Sequence, residues 1–92
     1  FREVFRSPHT VQPADGRTPR AALTTIHFLL GAGEHSRWHR VRSDEVWNFC
    51  EGDPLVVFWR DAEGRTHREV LGPGGRPLCV VPAGCWQAAR PV

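Results

Sequence analysis

Four side chains in this 92-residue chain have the types and spacing to act together: Arg37, His39, Glu45 and Gln87. Histidine exchanges protons near neutrality, and a carboxylate close in the chain can orient it, share its proton or bind a cation beside it. Residues two apart on a strand face the same side. Arg37 and His39 therefore share one face of an extended 36–41 segment, and Glu45, Trp47 and Phe49 share a face of the next strand. If His39 and Glu45 both point inward, a base and a carboxylate meet against an aromatic wall. Such a site can hydrogen-bond a polar ligand, hold a metal or do acid–base chemistry.

Short strands must position these groups. Phe1 to Arg6 alternates apolar and charged residues, the period of a half-buried strand, and Ser7 to Pro19 reads as a loop rich in Pro, Gly, Asp and Thr. Ala22 to Leu30 is β-branched and apolar and stops at Gly31-Ala32-Gly33. Further strands are expected over Ser36 to Val41, Glu45 to Cys50, Leu55 to Arg60, Arg65 to Leu71, Leu78 to Val81 and Trp86 to Ala89. Asp61-Ala62-Glu63-Gly64 turns Leu55 to Arg60 back into Arg65 to Leu71 as a hairpin. Seven or eight short strands at intervals of roughly 8 to 12 residues, with no amphipathic helical stretch, predict an all-β barrel or sandwich. There is no internal repeat and no linker, so residues 1–92 form a single domain.

The spacing resembles that of the cupins. Their first motif sets a Gly five residues before His-x-His, a Glu a few residues on, and a second Gly after six more. Here Gly31 precedes Arg37-Trp38-His39, and Glu45 precedes Gly52. Arg37 stands where the first His falls, and the step from His39 to Glu45 is one residue longer than is common. The second motif, Pro-x-Gly-x-x-His, matches Pro82-Ala83-Gly84-Cys85-Trp86-Gln87, with Gln87 at the His position. The runs Ser-Arg-Trp-His-Arg-Val, Asp-Glu-Val-Trp, Glu-Gly-Asp-Pro-Leu and Pro-Ala-Gly-Cys-Trp-Gln-Ala-Ala-Arg-Pro are similar to the cupin family 5 (DUF985) proteins. These are also called RmlC-like, for their likeness to sugar-nucleotide epimerases. The resemblance implies a cupin-type β-barrel, the double-stranded β-helix or jelly roll. Family members continue for another strand or two, so the expectation is a domain trimmed at both ends and lacking its terminal strands.

Three functions follow from these residues. The first is binding of a small polar or anionic metabolite in the barrel mouth by Arg37, Trp47, Phe49 and Gln87, with Trp38 and Trp86 as further stacking surface and with no tightly held cofactor. The second is a sugar-type epimerase or isomerase with His39 as base and Glu45 as its carboxylate. The chain has no Tyr to act as the proton donor such epimerases use. The third is a metal-dependent cupin enzyme, with a divalent metal on His39, Glu45 and Gln87. Against it, a guanidinium at position 37 keeps its charge and repels a cation. A competing structural reading makes Arg37 and Glu45 a buried ion pair, with the Trp residues as packing. His9, His27, His35 and His67 have no matched partners and read as surface or packing residues, and Trp59 as part of a dimer surface.

Composition narrows the classes. The formal charge is +2, and all twelve basic residues are Arg, scattered along the chain, which argues against nucleic acid. No apolar run approaches the roughly 18 residues that cross a bilayer, so no membrane partner is expected. Cys50, Cys79 and Cys85 follow no metal-ligand spacing and read as reduced thiols of a cytoplasmic protein, one disulfide with a leftover thiol being the alternative. A domain of this size has little burial to spare, so a homodimer is expected.

Overall fold

The structure of the protein, a computed structural model, describes residues 2–28, 30–31 and 33–92. Those parts of the expected strands and of the Gly31-Ala32-Gly33 stop that fall on Phe1, Leu29 and Ala32 lie outside the described residues. The described residues form ten strands and no helix: β1 (Arg2–Arg6), β2 (Thr10–Val11), β3 (Arg20–Ala21), β4 (Thr24–His27), β5 (His39–Arg40), β6 (Glu45–Asn48), β7 (Leu55–Arg60), β8 (Thr66–Leu71), β9 (Leu78–Val81) and β10 (Trp86–Pro91). All pairings between strands are antiparallel.

Two layers make the core. One is a four-stranded sheet in the order β5-β10-β7-β8, and the other is the β6-β9 pair. Period-two alternation decides which residues meet between them. Leu55 and Val57 on β7 stand opposite Pro91 and Ala89 on β10, and Glu45 and Trp47 on β6 stand opposite Val81 and Cys79 on β9. Val57, Leu71, Cys79, Val81 and Ala89 form the buried cluster, with Trp47, Phe49, Leu55 and Trp59 packed against it. The layers are joined by this packing, not by a ladder running all the way round, so the barrel is not closed by hydrogen bonds.

Tight turns set the strand ends. In the hairpin between β7 and β8, Asp61 Oδ1 accepts the backbone N–H groups of Glu63 (3.0 Å) and Arg65 (2.9 Å). The Asp side chain thus supplies the acceptors that a tight reversal needs. Between β9 and β10, the Cys85 N–H donates to Pro82 O at 3.2 Å with Gly84 at φ 83°, a left-handed position that glycine reaches without strain.

Several expectations change. Ser7 to Pro19 is not all loop: β2 pairs with β3. The single strand expected over Ala22 to Leu30 is interrupted, because Ala22 N–H turns to donate to His9 O before β4 begins. The strand expected over Ser36 to Val41 shrinks to His39–Arg40. The cause is Ser36, buried, whose N–H donates to Ala89 O while its Oγ accepts the Ala89 N–H, each at 2.8 Å. The first strand is exposed along its whole length instead of half-buried, since a register shift between Glu3 and Phe5 breaks its alternation and it pairs only with β4.

Candidate functional site

One rim of the molecule gathers the chemistry. The register places the β5–β6 loop (41–44), the β9–β10 turn (82–85) and the β7–β8 hairpin (61–65) at the same end. The loop and turn are fastened together: Gly84 N–H donates to Val41 O at 2.8 Å, and Ala83 N–H donates to Asp44 Oδ1 at 2.8 Å. Asp44 therefore holds the turn that delivers Gln87, a positioning role the sequence reading did not give it.

Just below this rim a row crosses the inner face of the four-stranded sheet. His39 stands opposite Gln87, Gln87 opposite Trp59, and Trp59 opposite His67. Neighbouring strands are about 4.8 Å apart, so the row spans roughly 14 Å. Gln87 is its buried centre at 0% exposure, and His39 and Trp59 on either side are half-buried. The indole N–H of Trp47, reaching across from the second layer, donates to Gln87 Oε1 at 2.8 Å. That bond fixes the amide orientation, because only the oxygen can accept. It leaves Gln87 Nε2 buried, with no hydrogen-bond partner among the described residues.

His39 is oriented as well. Its Nδ1 lies 2.9 Å from Arg37 O, which can only accept, so the neutral ring carries its proton on Nδ1 and keeps the Nε2 lone pair free. At the far end of the row, His67 lies flat on Trp59, with ring centres 5.2 Å apart and planes 11° apart. Its Nε2 is 2.8 Å from Asp61 Oδ2. The hydrogen bond to His67, followed by the backbone N–H of Arg65, holds the Asp61 carboxyl below its ordinary pKa. Asp61, Trp59 and His67 were missed as rim residues. The signal was available: Trp59 shares the parity of Leu55 and Val57, and hairpin pairing carries that parity to His67.

The expected site residues are only partly assembled. His39, Gln87 and Trp47 come together as described, and Glu45 lies on the facing layer beside Val81, half-buried. Phe49 stands at the other end of the inward face of β6, where its ring lies 3.0 Å from the position a Cβ on Gly72 would take. Arg37 is exposed and makes no ion pair with Glu45 among the described residues. The buried pair therefore does not form: Ser36 takes the inward position, and Arg37 is left facing solvent. Trp38 and Trp86 are also largely exposed, Trp86 under the Arg40 guanidinium at 5.2 Å. Trp59 packs against the core and not on an outer surface.

Of the expected metal donors, Gln87 keeps one free lone pair on Oε1, which already accepts the Trp47 N–H, and has none on its amide nitrogen. Cys50 is exposed, Cys79 buried and Cys85 half-buried, and all three are free thiols. No helix of the described residues is long and apolar enough to cross a membrane.

This inner row on a two-layer antiparallel β scaffold defines a cupin-type, jelly-roll protein. The chain belongs to the cupin superfamily family Cupin_5 (DUF985), whose description matches residues 1–92. Protein SO0799 from Shewanella oneidensis, known from a crystal structure, superposes with a TM-score of 0.84 at 33% identity over 98% of this chain. The match covers 56% of that protein, so this chain spans little more than half its length. No curated protein matches the chain.

Proposed function

We propose that this cupin binds a small polar or anionic metabolite at the rim that carries His39, Glu45 and Gln87, without a tightly held metal. The observation that carries the reading is Gln87 Nε2, an amide nitrogen buried at the centre of the row without an acceptor. Leaving such a group unpaired costs about 1–3 kcal/mol. An oxygen of a bound ligand would offset that cost, and the neighbours of Gln87 in the row, His39 and Trp59, are half-buried. Glu45 and Trp47 supply the facing wall, and Arg37, exposed beside His39, attracts an anionic group from solvent.

Mass spectrometry of the denatured protein for co-purified small molecules, followed by thermal-shift titration of whatever is found, tests this reading. The expected result is a compound that raises the Tm of the native chain and no longer does so in Gln87→Leu. A compound that stabilises both proteins equally counts against the site.

A second reading, isomerase or epimerase chemistry, draws support from the free Nε2 of His39. That reading leaves the proton donor to solvent, since the chain has no Tyr and His67 stands at the opposite end of the row from His39. It predicts exchange of solvent deuterium into a keto-sugar nucleotide, abolished in His39→Ala. The homodimer and the cytoplasmic setting belong to the same proposal. The dimer is supported by the exposed apolar side chains of β1 and β4, and the setting by the three free thiols.

A further inference from the structure

Away from the inner row, a second concave surface lies between the β2–β3 hairpin and the β5–β6 loop. It is an open cleft of about 500 Å³ lined by Arg17, Thr18, Arg20, Val41, Arg42 and Ser43. A smaller cleft of about 380 Å³ adjoins it and shares Arg17, Arg20 and Ser43. Half of the residues in the larger lining are arginines, drawn from two segments far apart in sequence. Like charges repel, so three guanidinium groups at one cleft favour an anion beside them.

The chain supplies one carboxylate there. Asp15 Oδ2 lies 2.8 Å from Arg17 Nε, and Arg17 Nη2 is 3.3 Å from both Arg42 O and Ser43 Oγ. These bonds leave the Arg17 side chain only 15% exposed and fix it as a wall joining hairpin to loop. Arg17, with Arg42 behind it, holds the Asp15 carboxyl below its ordinary pKa. One carboxylate against three guanidinium groups leaves two positive charges in excess. Arg20 and Arg42 have no ion pair among the described residues.

We propose that this cleft is a binding site for a phosphate group, held by Arg20 and Arg42 against the fixed Arg17 and the Ser43 hydroxyl. A phosphate monoester matches the site better than a carboxylate. Its charge near −2 balances the excess, and its three free oxygens take the forked donors of several guanidinium groups at once. The site goes beyond the barrel-mouth reading and stands without it, since none of its residues belongs to the inner row.

The test is a titration of the native chain with inorganic phosphate, followed by NMR of backbone amides and arginine side chains, with acetate in parallel. The expected result is saturable shifts at Arg17, Arg20, Arg42 and Ser43, with acetate weaker by about tenfold. Arg20→Gln and Arg42→Gln each weaken phosphate by about tenfold, the loss of one charge-assisted hydrogen bond. Neither side chain makes a hydrogen bond within the described residues, so both variants fold. Arg68→Gln in β8 and His39→Ala leave phosphate binding unchanged. Absence of saturable shifts, acetate binding as tight as phosphate, or full affinity in the Arg20 and Arg42 variants overturns the proposal. Loss of binding in His39→Ala also overturns it, because the anion would then sit on the inner row.

Discussion

The two halves of the chain use strand-forming sequence differently. Every buried apolar residue among those described lies beyond residue 55: Val56, Val57, Leu71, Cys79, Val81, Ala88 and Ala89. The N-terminal ribbons β1–β4 and β2–β3 leave Val4, Phe5, Val11 and Ile26 each more than 40% exposed. A two-stranded ribbon is marginal alone. It becomes stable when a second layer covers one face, as β6–β9 does for the four-stranded sheet. Alternation thus yields burial only where a facing layer exists, and the site sits where the layers meet.

The largest expected effect tests that contrast directly. Leu71→Ala, at 1% exposure in the core cluster, should cost about 3 kcal/mol in denaturant unfolding. Ile26→Ala in the ribbon should cost less than about 0.5 kcal/mol. An Ile26 cost near that of Leu71 breaks the comparison and means that the ribbon is covered in solution. If that cost grows with protein concentration, the cover is a second copy of the chain.

A smaller effect is expected inside the inner row. Trp47→Phe removes the indole donor and leaves Gln87 Oε1 without its protein partner, at a cost of about 1–2 kcal/mol. Gln87→Leu replaces a buried amide with an unpaired nitrogen by an apolar side chain of similar size, and should change stability by less than about 1 kcal/mol while abolishing ligand binding. A Gln87→Leu variant several kcal/mol less stable than the native chain would make Gln87 a structural residue and sharpen the contrast in the opposite sense.

The strand positions and the β7–β8 hairpin of the second half were legible, because Leu55–Arg60 and Leu78–Val81 are apolar runs bounded by Gly, Pro and Asp. The place of His39 beside Gln87 was legible only through motif spacing, since β5 is two residues long and carries no periodicity. Three features arise only in the folded chain. Ser36 turns inward through a bond to Ala89, 53 residues away, and so takes from Arg37 the place spacing had given it. The bulge in β1 shifts a register that alternation alone had presented as continuous. Arg17, Arg20 and Arg42 looked scattered because the hairpin and the loop that gather them are joined by side-chain bonds to Arg42 O and Ser43 Oγ, not by a strand ladder.

The smallest effect concerns the thiols, which probe the same division through chemistry. Burial, with Glu69 adding and Arg76 opposing, pushes the Cys79 thiol up to about 11 from an ordinary 9.0. Between these values the unfolded chain releases the proton while the folded chain keeps it. The folded state then binds more protons, so stability must fall as pH rises from 9.0 towards 11. Cys79→Ala should flatten this slope, although the lost side-chain volume lowers stability at every pH. At pH 8 the exposed Cys50 should react with a maleimide well before Cys79. Equal rates at the two thiols would mean that the layers open readily, and the contrast between covered sheets and uncovered ribbons would then be one of degree.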